Sequence, residues 1–226
     1  MIYIKYMENQ FRVALFDLDG TLINTEYQYT QFWERVGEEL HLNIPDLAQV
    51  IKGRTLTSIF QNFIPSVDMQ NEITRRLVVF ENQMQFPFYP GVLDFLDDIR
   101  RNGVKCAVVT SSNIAKMDAV KRKFPNFDNL FDKVLTAEDF AASKPDPSCY
   151  ILGAQVFSAQ KSQCVVFEDA VNGLQAGISS GIFTIGFATT NPRKVIQPLC
   201  HHVQDDFVHL SFDDVEKMLV SYWQKN

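Results

Sequence analysis

Asp17 and Asp19 stand two residues apart, just past the apolar run Val13-Ala-Leu-Phe16 and just before Gly20. On an extended backbone two such carboxylates point the same way. They repel each other and cost desolvation energy unless something positive sits between them. Other polar groups follow strand-like runs further on: Thr110-Ser111 after Val104–Val109, Lys144 in Ser143-Lys-Pro-Asp-Pro147, and Glu168-Asp169 after Gln163–Phe167. A hard cation such as Mg²⁺ takes oxygen ligands and usually keeps waters and a substrate phosphate oxygen. Asp17 and Asp169 supply such ligands from two strands. A carboxylate held beside the cation and a phosphoryl group can attack phosphorus, which makes Asp17 the candidate nucleophile. The leaving alcohol needs a proton, a role that suits Asp19. Lys144, the Thr110 hydroxyl and loop N–H groups can hold the phosphoryl oxygens, and Gly20 permits a tight turn beneath the substrate.

These groups converge only if the elements before them lie side by side. Val13–Phe16, Val104–Val109, Lys133–Thr136, Gln163–Phe167 and Ile182–Phe187 read as strands, most of them fully apolar. Between them run amphipathic patterns: Val92 to Ile99, Met117 to Phe124, Pro147 to Phe157 and Asn172 to Ser180. A last helix starts at Ser211-Phe-Asp-Asp214. Apolar strands alternating with helices predict an α/β fold, a doubly wound parallel sheet covered on both faces. In such a sheet ligands bind beyond the carboxyl ends of the strands, where every group named above falls. From Thr25 to Phe86 no strand pattern occurs. Phe32, Trp33, Val36 and Leu40, then Ile59, Phe60 and Phe63, then Ile73, Leu77, Phe80 and Met84 recur at helical spacing. The predicted organisation is therefore a core of residues 1–24 and 87–226 with an all-helical block, 25–86, inserted after the first strand.

The chain has 226 residues, 46% of them hydrophobic, enough for one large core plus a small insertion. A net charge of -6 without a basic stripe argues against nucleic acid or an anionic membrane as partner. The apolar runs are strand-sized, far short of a membrane span. MIYIKYMENQ lacks a charged segment followed by an apolar block, which predicts no signal peptide. Met7 competes with Met1 as the start. Cys106, Cys149, Cys164 and Cys200 are scattered without a C-x-x-C pair, which predicts free thiols in a reduced, cytoplasmic protein. Monomer is the default state.

D-x-D-G-T at 17–21, T-S-S at 110–112, K-P-D-P at 144–147 and F-E-D at 167–169 occur in that order. They resemble the four motifs of the haloacid dehalogenase superfamily of phosphohydrolases. The helical insertion resembles that superfamily's cap. Tyr89-Pro90-Gly91 and E-D-A-V-N-G at 168–173 are similar to its β-phosphoglucomutase-like subgroup. The resemblance implies a Rossmann-like core, Asp17 as nucleophile and Asp19 as general acid and base. It implies Mg²⁺ on Asp17, the Asp19 main-chain carbonyl and Asp169, with Glu168 behind them or as an occasional ligand. It implies Thr110 and Lys144 as phosphate holders, with Ser111 acting through its main-chain N–H. The substrate expected is a small phosphorylated metabolite such as a sugar phosphate.

Each feature has a plainer reading. Asp17 and Asp19 alone could be a solvated turn, Thr110 to Asn113 a helix cap, Lys144 a surface lysine, and Glu168-Asp169 an ordinary acidic helix start. Their joint order is what points to chemistry. His201, His202 and His209 have no second ligand pair at metal spacing, so no zinc site is expected there. The nineteen phenylalanines read as packing, with one or two lining the inner face of the cap. Lys52 and Arg54, in the cap turn, are the candidates for substrate specificity, able to meet the polar end of a metabolite. Two alternatives to a phosphatase compete. A sugar-phosphate mutase of the subgroup would carry a His near Tyr29 (or Gln28) and an Arg near Leu56, and the chain departs from both. A phospho-accepting receiver module would be about half as long and would lack the second aspartate.

Overall fold

The computed structural model describes residues 10–225; the choice between Met1 and Met7 lies outside them. Six strands form one parallel sheet: β1 (Val13–Phe16), β2 (Lys105–Val109), β3 (Lys133–Leu135), β4 (Cys164–Glu168), β5 (Phe183–Phe187) and β6 (His202–Gln204). The spatial order is β3-β2-β1-β4-β5-β6, and the direction of winding reverses at β1. This is a doubly wound, Rossmann-like α/β fold. Successive residues of β1 feed opposite layers, as the period of a strand requires. Ala14 and Phe16 join a cluster with Val92, Phe95, Leu96, Met117, Val120 and Leu219 on one face. Val13 and Leu15 join Cys149, Tyr150, Ala154 and Ala176 on the other. The helices that supply these residues are α5 (Val92–Arg101), α6 (Ile114–Lys123) and α10 (Phe212–Lys225) on the first face, α7 (Ser148–Gln155) and α8 (Val171–Ser180) on the second; a short α9 (Arg193–Ile196) lies between β5 and β6. Phe16 stacks on Phe167 of the neighbouring strand with ring centroids 4.6 Å apart.

The sequence pattern did not foretell β6. It is three residues long with one buried side chain, Val203, too short for a period to register.

After β1 the chain passes into a helical block: α1 (Glu26–Glu39), α2 (Leu47–Val50), α3 (Leu56–Phe63) and α4 (Val67–Gln83). These helices close on a cluster of their own, with Phe32, Trp33, Val36, Leu47, Ile59, Ile73 and Leu77 at its centre. The segments leading in and out are tied to each other. Ile23 and Phe88 form an antiparallel bridge, Asn24 N–H donates to the Pro87 carbonyl at 2.8 Å and Tyr89 N–H to the Leu22 carbonyl at 2.9 Å. No helix among the described residues is long and apolar enough to cross a membrane. The four cysteines are free thiols, and Cys106, Cys149 and Cys164 are buried.

Candidate active site

Register places the first carboxylate. Phe16 is level with Val108 of β2 and Phe167 of β4, so Asp17 emerges level with Val109 and Glu168. Its N–H donates to the Phe167 carbonyl at 3.0 Å, which carries the ladder one residue past the strand. Lys144, 1% exposed, donates from Nζ to Asp17 Oδ1 at 2.6 Å, Glu168 Oε1 at 2.9 Å and the Val109 carbonyl at 3.1 Å. Its ammonium also lies 4.9 Å from the centre of the Tyr150 ring. Burial alone would lower this lysine, but Asp17 and Glu168 outweigh burial and hold it well above its ordinary value. The other Glu168 oxygen accepts from Ala170 N–H at 2.7 Å, while Tyr150 Oη donates to Oε1 at 3.2 Å.

Carboxylate oxygens of Asp17, Glu168 and Asp169 all lie within 4.8 Å of one another, and all three residues are buried. Burial pushes Asp17 up, with Lys144 opposing and Glu168 adding to the rise. Burial pushes Asp169 up as well, reinforced by Glu168 and Asp17. One lysine cannot neutralise three buried acids. The donor set, all hard oxygen, therefore fits a divalent cation of the Mg²⁺ type. Hydroxyls orient Asp169: Thr21 Oγ1 donates to Oδ1 at 2.8 Å and Thr190 Oγ1 to Oδ2, while Asn191 Nδ2 donates to the Asp169 carbonyl at 3.1 Å. Gly20, at φ +86°, passes directly over this carboxylate; a Cβ there would lie 2.3 Å from Asp169 Oδ2. The turn requires glycine on both counts.

Asp19 faces the cavity beside the cluster. Its Oδ1 accepts from Thr25 Oγ1, and its Oδ2 accepts from Ser112 Oγ at 2.9 Å and from Lys116 Nζ. Lys116 comes from the first turn of α6, whose cap is Asn113, and lies 4.4 Å from the centre of the Tyr29 ring. Thr110 is buried at the end of β2 and accepts from Ser112 N–H at 3.1 Å. The Ser111 hydroxyl is taken by the Gly53 carbonyl at 2.8 Å.

A cavity of about 120 Å³ opens between the sheet edge and the helical block. Of the residues singled out from sequence, Asp17, Asp19, Thr110, Ser111, Lys52 and Arg54 line it; Lys144, Glu168 and Asp169 stand behind Asp17. The two cations of the helical block are engaged. Lys52 pairs with Glu26 at 3.3 Å. Arg54 Nε donates to the Val50 carbonyl at 3.2 Å, and its guanidinium lies 5.8 Å from the centre of the Phe63 ring. No phenylalanine lines the cavity, contrary to expectation; its aromatic wall is Trp33 and Tyr29. The phenylalanines sit deeper because α1 turns Phe32 inward to stack on Phe80 at 4.7 Å.

Sequence reasoning missed Lys116, Glu81, Thr190 and Asn191. The last two had a signal: a polar run, Thr189-Thr190-Asn191, follows strand β5 after Ala188, at the same sheet edge. Lys116 and Glu81 had none, since each reads as the polar side of an amphipathic helix.

The sequence model of a family described as Haloacid dehalogenase-like hydrolase matches residues 14–187. The chain is 28% identical over 199 residues to validoxylamine A 7'-phosphate phosphatase of Streptomyces hygroscopicus subsp. limoneus, covering 82% of this chain and 90% of that one. It is 27% identical over 175 residues to hexitol phosphatase A of Escherichia coli, covering 76% and 80%. Among solved structures, a putative β-phosphoglucomutase from Bacteroides vulgatus superposes with a TM-score of 0.80 at 23% identity, over 97% of this chain and 93% of that one.

Proposed function

The chain belongs to the haloacid dehalogenase-like hydrolase family, and on that premise we propose that it is a Mg²⁺-dependent phosphatase of a small phosphorylated metabolite, acting in the cytoplasm through an aspartyl-phosphate. The observation that carries this reading is the clustering at one cavity of a buried, lysine-bound Asp17 and a separately held Asp19. Asp17, Asp169 and the Asp19 main-chain carbonyl would hold the cation; Glu168, engaged on both oxygens, stays behind them. When bound, Mg²⁺ supplies positive charge to the phosphoryl oxygens and to the Asp17–Asp169 pair.

In the first step an Asp17 oxygen attacks phosphorus, the phosphorus–alcohol bond breaks, and Asp19 gives the leaving oxygen its proton. In the second, Asp19 takes a proton from water, that water oxygen attacks the phosphorus, and the bond to Asp17 breaks to release orthophosphate. Thr110 and the Ser111 N–H hold the phosphoryl oxygens through both steps, while Lys144, bonded to Asp17, supplies positive charge beside them and takes a phosphoryl oxygen in exchange for one of its present partners. Residues 25–86 act as the cap that keeps bulk water out.

Hydrolysis is favoured over mutase chemistry by the cap wall. Tyr29 and Leu56 line it where a mutase would place His and Arg, and Gln28 is turned away onto Gln85. Relatives named as a hexitol phosphatase and a phosphatase of phosphorylated carbohydrates support a polyol or sugar-like phosphate as substrate. A panel of phosphorylated metabolites, read by phosphate release, tests the proposal. Release from several sugar phosphates is expected. Isomerised hexose phosphate without release would make the protein a mutase, and stable phosphorylation without turnover would make it a receiver.

A further inference from the structure

On the side of the helical block, the cavity is built from two unlike surfaces. Trp33, Ile51, Leu56, Ile59 and Leu77 give an apolar wall. Against it stands Glu81 of α4, 5% exposed. Tyr29 Oη donates to Glu81 Oε1 at 2.8 Å. No lysine or arginine among the described residues forms an ion pair with Glu81; burial pushes its carboxyl up, and Lys116, whose charge opposes that rise, makes its ion pair with Asp19. Lys52 is likewise engaged by Glu26. The helical-block side of the cavity thus offers one buried carboxylate with acceptor capacity to spare, and the two lysines that line the cavity are already matched.

We infer that Glu81 is a specificity-determining residue: it accepts a hydrogen bond from a hydroxyl or ammonium at the far end of the substrate and excludes substrates that carry a second anionic group there. A buried acceptor left without a donor costs free energy, which the right ligand group recovers. A carboxylate or second phosphate in the same place would meet the Glu81 charge across a poorly solvated gap, and repulsion of that kind is how a site rejects an otherwise similar ligand. The apolar wall covers the carbon face between the two ends. The inference deepens the phosphatase reading and rests on it.

Straight-chain alkyl phosphates of graded length, ending in a hydroxyl, an ammonium, a carboxylate or a second phosphate, test it by phosphate release. For the wild type at its preferred length, kcat/KM for the hydroxyl or ammonium ester should exceed that for the bisphosphate by at least about tenfold, the factor expected of a hydrogen bond to a charged group. Glu81→Gln, which keeps the shape and loses the charge, should shrink that ratio by about the same factor, mainly through KM. A wild type that takes the bisphosphate as readily as the hydroxyl ester at every length overturns the inference, and so does a folded Glu81→Gln protein with an unchanged ratio. If the variant does not fold, the wild-type series decides alone. Should the wild type release phosphate from none of the esters nor from the metabolite panel, the phosphatase reading itself fails and this inference falls with it.

Discussion

Lys144 stands between two carboxylates with almost no contact with water, so its removal strands both. Breaking a buried ion pair by deleting one partner typically costs about 3–5 kcal/mol, because the remaining charge has nowhere to go. Lys144→Met should lower the free energy of unfolding by that order in urea titration, with phosphate release lost as well. Asp17→Asn behaves differently. It removes one of three crowded acids and keeps the shape, so the fold should survive with an unchanged circular dichroism spectrum. Turnover should fall by at least about a thousandfold, as for other enzymes stripped of their nucleophile. Chelation with EDTA should abolish phosphate release and added Mg²⁺ restore it. Much of this chemistry was legible in the bare sequence. Asp17, Asp19 and Asp169 come just after apolar strands and Lys144 lies in the loop that leaves β3, and a sheet edge gathers whatever follows its strands. Lys116 was not legible. Nothing in its spacing separates it from Lys121 or Lys123 on the same helix, and only the packing of α6 against the cavity buries it.

Elements explain how the turn at residues 52–55 of the helical block meets the sheet. Residues 52–55 dock on two core loops and the first turn of α8 at once: the Lys52 carbonyl accepts from Asn172 Nδ2 at 2.7 Å, the Gly53 carbonyl from Ser111 Oγ at 2.8 Å, and Thr55 N–H donates to Ser143 Oγ at 2.9 Å. Ser111 and Ser143 adjoin Thr110 and Lys144 in sequence, so the docked turn steadies the loops that present the phosphate-binding candidates. Gly53 makes the close approach with φ +73°, and a Cβ there would stand 3.4 Å from Ala170 Cβ. An alanine in the left-handed region costs about 1–2 kcal/mol. Gly53→Ala should therefore disfavour the docked turn by roughly fivefold or more, by the usual conversion of free energy to population. The expected result is a raised KM for the ester substrate with little change in Tm, because the turn lies apart from both sheet faces. The helices and strands that frame this contact were readable because their apolar residues keep a period. The contact itself was not, since it is made by main-chain groups and small hydroxyls that carry no pattern.

Across the whole molecule, the histidine-bearing segment serves stability, and it does so through the short edge strand that no pattern announced. His201 precedes β6, accepts from Thr184 N–H through Nδ1 at 2.9 Å, and stacks on Phe183 with ring centroids 5.2 Å apart. Tyr222 of α10 closes the other side at 4.4 Å. The ring thus ties the last strands to the last helix as a neutral imidazole, and burial lowers its pKa below the ordinary value. The sign of the pH effect follows. In the unfolded chain His201 takes up a proton near its ordinary pKa of about 6.5, while in the fold it resists. Below that pH the unfolded state binds more protons, so stability falls with acidification until the folded-state pKa is passed. His201→Asn keeps an acceptor close to the position of Nδ1 but cannot titrate. It loses the ring contacts, so it should be less stable than the wild type at pH 8 by about 1 kcal/mol. Between pH 6.5 and 5 its stability should decline less steeply than that of the wild type, and the gap between the two proteins should narrow as the solution is made more acidic. Urea midpoints measured across that range decide the matter: parallel curves would mean that the imidazole charges in the fold as easily as outside it, and that the ring contributes packing alone.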